Sequence, residues 1–230
     1  MTGDLELGPL LPASLRAGEI LRAALFRPLL TPVVRIAFRL RRHGRPPPRG
    51  QPAVIACNHA SHFEPVLAPW ILPAPVHTLA MVELFRGPVR RRFWHLMLTI
   101  PVDRRRPDHQ ALREALRRLA AGRQILVFPE GGIRFGHQAL LYRAQPLATG
   151  AAALAVLAQV PLHPCVILGG RAGYQRRTWL AGRAPIDFFF GSPLSPALRP
   201  GERRGDAVER VNAALLDALQ RLLRESRAIA

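Results

Sequence analysis

The sequence predicts a single α/β layered domain, with a largely parallel or mixed sheet flanked by helices and a basic amphipathic helical segment before it. Three observations carry that prediction. Short apolar runs of strand character alternate with longer segments of helical periodicity, the pattern of a substantially parallel sheet. The 230 residues suffice for one continuous core. Finally, Arg45-Pro46-Pro47-Pro48-Arg49-Gly50 is a stiff connector, which divides the chain into residues 1–50 and a core domain over 51–230.

Residues 14–42 form the helical segment. Leu15, Ile20, Leu21, Leu25, Leu29, Val33, Ile36, Ala37 and Leu40 recur at helical spacing, flanked by Arg16, Arg22, Arg27, Arg35, Arg39, Arg41 and Arg42. Pro28 and Pro32 are expected to split or kink it. Such a segment suits a lipid interface, although a helix capping the core with solvated arginines has the same pattern. Beyond the connector, strands are expected at 53–57, 78–82, 99–102, 124–128, 162–168 and 186–190. Helices are expected at 66–72, 87–97, 107–121 and 147–158, with a last amphipathic helix over 206–227.

The formal charge is +18, and all 33 basic side chains are arginine. That excess points to an anionic partner, whether a membrane surface, a phosphorylated substrate or a nucleic acid. Nucleic-acid binding fits worst, because only two tyrosines occur and the arginines spread from end to end. Cys57 and Cys165 lie in apolar runs and are read as small buried hydrophobes of a reducing compartment. Residues 1–12 have no secretory-signal character, and no clean run of about 20 apolar residues occurs.

Three stretches carry chemistry. The first is Asn58-His59-Ala60-Ser61-His62-Phe63-Glu64-Pro65, where a histidine follows a strand and a carboxylate lies near a helix mouth. A general base needs a ring exposed at one edge and held at the other by an acid. Ser61 and Glu64 also read as a capping box, which Pro65 disfavours. Cys57, His59, His62 and Glu64 also read as a metal cluster, although no second group with ligand spacing accompanies them. The second stretch, Ile100-Pro101-Val102-Asp103-Arg104-Arg105-Arg106, puts cationic donors at a strand end or in a solvated turn. The third, Leu126-Val127-Phe128-Pro129-Glu130-Gly131-Gly132-Ile133-Arg134, ends a buried strand in a carboxylate and two glycines that admit close approach.

Taken in order, these stretches resemble the blocks of the glycerolipid acyltransferase superfamily, whose best-known members acylate lysophosphatidic acid. Asn58 and His59, with Glu64 at the acid position, resemble its Asn-His-x-x-x-x-Asp signature. Asp103-Arg104 is similar to its second block, and Phe128-Pro129-Glu130-Gly131 to its third. Val160-Pro161-Leu162-His163-Pro164-Cys165-Val166-Ile167 resembles the fourth, and Gly150 matches a glycine opening a helix. The resemblance covers about residues 53–170. Two departures stand out: Glu64 replaces the usual aspartate, and Arg134 falls one residue late for the common Glu-Gly-Thr-Arg.

The resemblance implies acyl transfer from acyl-CoA or acyl carrier protein to a lysophospholipid hydroxyl at the cytoplasmic side of the cell membrane, with no cofactor and no metal. It implies His59 as base and Glu64 as its orienting acid. Arg104 would grip the acceptor phosphate, helped by Arg105, Arg106 or Arg134, while Glu130, Gly131 and Gly132 would position the acceptor. Glycerol 3-phosphate, a lyso-ornithine lipid, and a catalytically silent membrane-associated relative stay open. His62, His77, His95 and His163 are read as structural or surface groups. Trp70, Phe93, Trp94, Phe188, Phe189 and Phe190 are read as core rather than acyl channel.

Overall fold

Each residue of Ala53–Cys57 (β2) is buried, so this strand must be covered on both faces, the signature of a parallel sheet between helices. The structure, a computed structural model, describes residues 17–19, 21, 25, 27–105, 107–134, 139–143, 145–171 and 184–229. Readings placed on residues 1–16, Ile20, Arg22 and Arg106 lie outside these. The remaining strands are β1 (Phe38–His43), β3 (Val76–Met81), β4 (Ile100–Val102), β5 (Gln124–Val127), β6 (Leu162–Leu168) and β7 (Ala184–Phe190). They form one seven-stranded sheet in the order β1-β7-β6-β2-β5-β3-β4. All pairings are parallel except β6 with β7, so the sheet is mixed, as expected.

The alternation of side chains along each strand sorts the core into two layers. Val54, Ala56, Ile125, Val127, Val166 and Phe189 face one side. There they meet α4 (His109–Ala120), α6 (Gly150–Ala158) and α7 (Arg204–Ile229). Ile55, Cys57, Leu126, Cys165, Ile167, Phe188 and Phe190 face the other side, under α1 (Arg27–Ala37) and α2 (Glu64–Ile71). Helix α3 (Pro88–Leu96) and the short α5 (Leu140–Arg143) complete the described elements. Each fully buried Ile or Leu in these layers contributes about 1.5–3 kcal/mol, which makes the layers, not surface ion pairs, the source of stability.

Two expectations for the N-terminal segment need correction. Pro32 does not break the helix, since α1 runs through it from Arg27 to Ala37. The Thr31 hydroxyl donates to the Arg27 carbonyl (2.6 Å) and accepts from the Trp70 indole N–H (3.0 Å), so the proline-containing turn is tied to α2. The helical reading also fails at residues 38–42, because Phe38–His43 is an edge strand parallel to β7. Phe-Arg-Leu-Arg has period 2 as well as helical spacing, and β7 supplies the partner that decides between them. Arg41 (2.7 Å) and His43 (2.7 Å) both reach Asp187 on β7, and His43 stacks on Phe189. Arg41 is half exposed, so solvent screens its ion pair and little stability comes from it. Burial of Phe38 adds more, and Asp187 mainly sets the register.

Burial pushes the Asp187 carboxyl up, but its bonds to Arg41 and His43 outweigh that and hold it below the usual 3.8. A carboxyl depressed in the folded state stabilises above its unfolded pKa and loses that contribution as pH falls through the folded value. The window therefore lies below about pH 4. Asp187→Asn is expected to be less stable than the parent at neutral pH, with the gap closing on acidification. Thermal melts from neutral pH downwards would show it, and a gap that does not narrow would refute the role.

At the opposite end of the sheet from the strand carboxyl termini, Glu19 is held by Arg123 (2.7 and 2.8 Å) and by His77 (3.1 Å). Arg118 meets the other ring nitrogen of His77 at 2.6 Å, which leaves His77 neutral with its proton on Nε2. Burial lowers the His77 pKa in the same direction.

Candidate active site

Central strand β2 ends between β5 and β6, and the next residues turn out of the sheet at its carboxyl edge, where open α/β sheets place their ligand crevices. Asn58 fixes this exit. Its Nδ2 donates to the Ile167 carbonyl (2.9 Å), and its Oδ1 accepts from the Ile167 N–H (2.6 Å). The side chain thus extends the β2–β6 ladder by one further pair of bonds. His59 follows, with its ring stacked on Phe128 (centroids 4.1 Å apart).

The Glu64 carboxylate lies 2.8 Å from His59 Nδ1 through Oε2 and is wholly buried. Both of its oxygens also accept from the Ala60 N–H, at 3.1 and 3.0 Å. An ionised carboxylate accepts only, so Nδ1 carries the ring proton and Nε2 is left with its lone pair. Helix α2 begins at Glu64 with Phe63 before it and Pro65 in its first turn, so Ser61 is not the cap. The Ser61 hydroxyl accepts from the Phe63 N–H instead (3.3 Å). The capping-box reading is therefore wrong, and the carboxylate serves the histidine.

His59 opens onto a cavity of about 510 Å³, within the usual range of ligand pockets. Leu79, Met81, Leu84, Trp94, Met97, Val102, Val127 and Phe128 give it an apolar wall. Arg104, Gly131, Gly132 and the first residues of α6 at Gly150 and Ala151 also border it. Trp94 corrects the reading of that residue as core, since it faces the cavity. His62, read as a structural or surface group, is exposed and borders it too. Period and burial cues cannot separate a cavity wall from a core, so the sequence held no signal for either residue.

Arg104 lies at the cavity edge, exposed, and donates to the Gly131 carbonyl and to Met81 Sδ (3.1 Å). Asp108, unnoticed in the sequence, holds the turn that carries it. One Asp108 oxygen accepts from the Asp103 N–H (2.9 Å), and the other caps α4 through Gln110 (3.1 Å) and Ala111 (2.9 Å). Those amides, that of Ala111 foremost, hold the Asp108 carboxyl below its usual range. Arg105 pairs with Asp103 (3.2 Å) rather than pointing its charge at the cavity.

The third block divides. Gly131 and Gly132 border the cavity, and Gly131 adopts φ +70, which favours glycine. Glu130 is buried and lies outside the cavity lining. Arg134 also lies outside the lining, with an exposed side chain; its backbone N–H donates to the His59 carbonyl (3.0 Å), so its link to the dyad is through the main chain. Behind the dyad, Cys57 and Cys165 are unoxidised and buried on neighbouring strands. Burial pushes the Cys57 thiol well above its usual range, with Cys165 adding to the effect, so it is no nucleophile. Among the described residues, no group of three or more His, Cys, Asp or Glu side chains is placed to hold a metal ion.

Comparison with known proteins adds a decisive observation. Residues 39–168, more than half of the chain, match the protein family described as Acyltransferase. The chain belongs to the acyltransferase family. Members of this family are enzymes that transfer acyl groups. The chain is 25% identical over 170 residues to a 1-acyl-sn-glycerol-3-phosphate acyltransferase of Cocos nucifera, covering 73% of this chain and 54% of that one. It thus spans about half the length of that relative. It is 27% identical over 174 residues to a protein of the same name from Bacillus subtilis (strain 168), covering 74% and 82%. The crystal structure of the 1-acyl-sn-glycerophosphate (LPA) acyltransferase PlsC from Thermotoga maritima shares the fold, with a TM-score of 0.53 and 22% identity. That match covers 90% of this chain and 79% of the other. In this acyltransferase the acid paired with His59 is a glutamate, Glu64.

Proposed function

We propose that this acyltransferase moves a fatty acyl group from a thioester, acyl-CoA or acyl carrier protein, to a hydroxyl of a lysophospholipid in phospholipid biosynthesis, with lysophosphatidic acid as the favoured acceptor. One observation carries the reading: a carboxylate-held imidazole opens onto an apolar cavity that an exposed arginine also borders. The names of the two curated relatives favour lysophosphatidic acid among the acceptors.

In this mechanism His59 Nε2 takes the proton of the acceptor hydroxyl as its oxygen bonds to the thioester carbonyl carbon. The C–S bond then breaks, and the departing thiolate receives the proton from the imidazolium. Glu64 holds the ring tautomer and offsets the imidazolium charge. Attack is direct, with no acyl-enzyme, in keeping with the buried thiols. The apolar wall accommodates hydrocarbon, and Arg104 grips the acceptor phosphate. Gly131 and Gly132 let the acceptor approach the backbone, while Glu130 and Arg134 lie outside the cavity lining and take no direct part in binding it.

The reading includes an anionic membrane surface at the cytoplasmic side. Helix α1 leaves Leu29, Val33 and Ile36 exposed, and Arg27, Arg35 and Arg39 are exposed beside them. No helix among the described residues is long and apolar enough to cross a membrane. Co-sedimentation with phosphatidylglycerol vesicles at low salt, weakened at high salt, is the expected behaviour; equal recovery with neutral vesicles would contradict it.

The test of function is incubation with labelled acyl thioester and a panel of lysophosphatidic acid, glycerol 3-phosphate and lyso-ornithine lipid, with product identification. Acylation of lysophosphatidic acid first is expected, and product from another acceptor alone would reassign the substrate. Absence of thiol release with every acceptor would mark a catalytically silent relative. Arg104→Ala is expected to raise acceptor KM about 10–100-fold, the worth of a charge-assisted bond of about 1.5–3 kcal/mol. Thioester KM should stay unchanged. An effect on the thioester alone would remove Arg104 from the phosphate.

A further inference from the structure

Glu64 carries one methylene more than the aspartate expected at its position, yet its carboxylate stands 2.8 Å from His59 with no solvent exposure. Something must make room for the longer arm. Gly170, buried two residues past the end of β6, lies against it. A Cβ at position 170 would overlap Glu64 Oε1, and would lie 3.4 Å from its Cδ and 3.2 Å from Ser61 Oγ. Space is the reason for glycine here, because Gly170 is not among the residues with positive φ. Its neighbour Gly169 contrasts, with φ +83 and a Cβ position that would overlap the Pro185 carbonyl.

We propose that Gly170 is a positioning residue, size-matched to Glu64, that sets how far the carboxylate reaches toward His59. The inference rests on the reading of His59 and Glu64 as the catalytic pair. The Asn58 clamp on Ile167 holds the segment that ends in Gly170 at a fixed distance from the turn that carries the dyad. The Glu64 oxygens are themselves pinned by the Ala60 N–H and by His59. A methyl group at 170 meets the far end of a flexible side chain rather than backbone. The chain therefore still folds, but the carboxylate has to leave its place beside the imidazole.

Three variants test this: Gly170→Ala, Glu64→Asp, and the two combined. A misplacement on the order of 1 Å costs about 10²-fold in rate, so Gly170→Ala is expected to lose about that much kcat while acceptor KM changes less than about twofold. Glu64→Asp, whose shorter arm falls short of His59, is expected to lose about tenfold. In the double variant the methyl fills the space the shorter acid leaves, so kcat should recover about tenfold or more over Gly170→Ala. A wild-type rate for Gly170→Ala, or losses that multiply in the double variant, would overturn the pairing. Should Gly170→Ala fail to fold, Glu64→Asp must restore folding, and an unfolded double variant also overturns it. His59→Ala in the same assay separates the two readings. If it keeps wild-type turnover, the catalytic pair is wrong. If it is inactive while the double variant shows no recovery, only Gly170 is wrong.

Discussion

His59→Ala is expected to lower acyl transfer by about 10²–10⁴-fold while leaving the chain folded. Among the described residues lining the cavity, the His59 ring is held by a buried acid, Glu64, through Nδ1, which leaves Nε2 as the proposed base. His62 also borders the cavity, but its side chain is exposed, and the carboxylate is already engaged by His59. Folding should survive, because the ring is partly exposed and borders an existing cavity, and the Glu64 oxygens keep the Ala60 N–H when the His59 bond and the stack on Phe128 are lost. Thiol release measured with acyl-CoA and lysophosphatidic acid, beside a thermal melt, checks both halves. Turnover within a few-fold of the parent would end the base assignment.

Glu64→Gln is expected to be nearly as damaging, by about 10²–10⁴-fold in kcat, although it changes almost no volume. The two carboxylate oxygens accept from His59 and from the Ala60 N–H, all within a wholly buried pocket. If the amide nitrogen faces His59, the ring must turn its other tautomer and surrender the basic Nε2. If the amide oxygen faces His59, the tautomer survives, but the charge that offsets the imidazolium is gone, and a donor is left beside the Ala60 N–H. Both outcomes reduce kcat more than KM, which separates them from a general loss of binding. A Glu64→Gln variant with parental kcat would leave Glu64 a structural acid only.

The pairing of His59 with Glu64, proposed as the catalytic dyad, was legible in the sequence because it is local, five residues within one turn, and because the strand before it and Pro65 after it constrain the backbone. Arg104 was legible for a similar reason, at the end of an apolar strand. The six strands expected beyond residue 50 all occur, since continuous apolar runs between turn signals identify buried strands. Residues 38–42 were misread because helix and strand periods both fit them, and the deciding partner, Asp187, lies far along the chain. Trp94 looked like core because a cavity wall and a core demand the same side chains. Asp108 and Gly170 gave no motif signal, as each acts by where it stands relative to a distant turn.

The Asn58 clamp has a consequence for when the site comes into being. Its partner, Ile167, is synthesised 109 residues later. At ordinary translation rates that is a delay of roughly 5–20 s. A nascent chain already holding His59 and Glu64 has no frame for them until β6 docks on β2. Loop closure over that span is then settled by the same strand pairing that builds the centre of the sheet. The framed geometry is thus an end product of folding, and an unfinished chain carries the two side chains without the frame that fixes them.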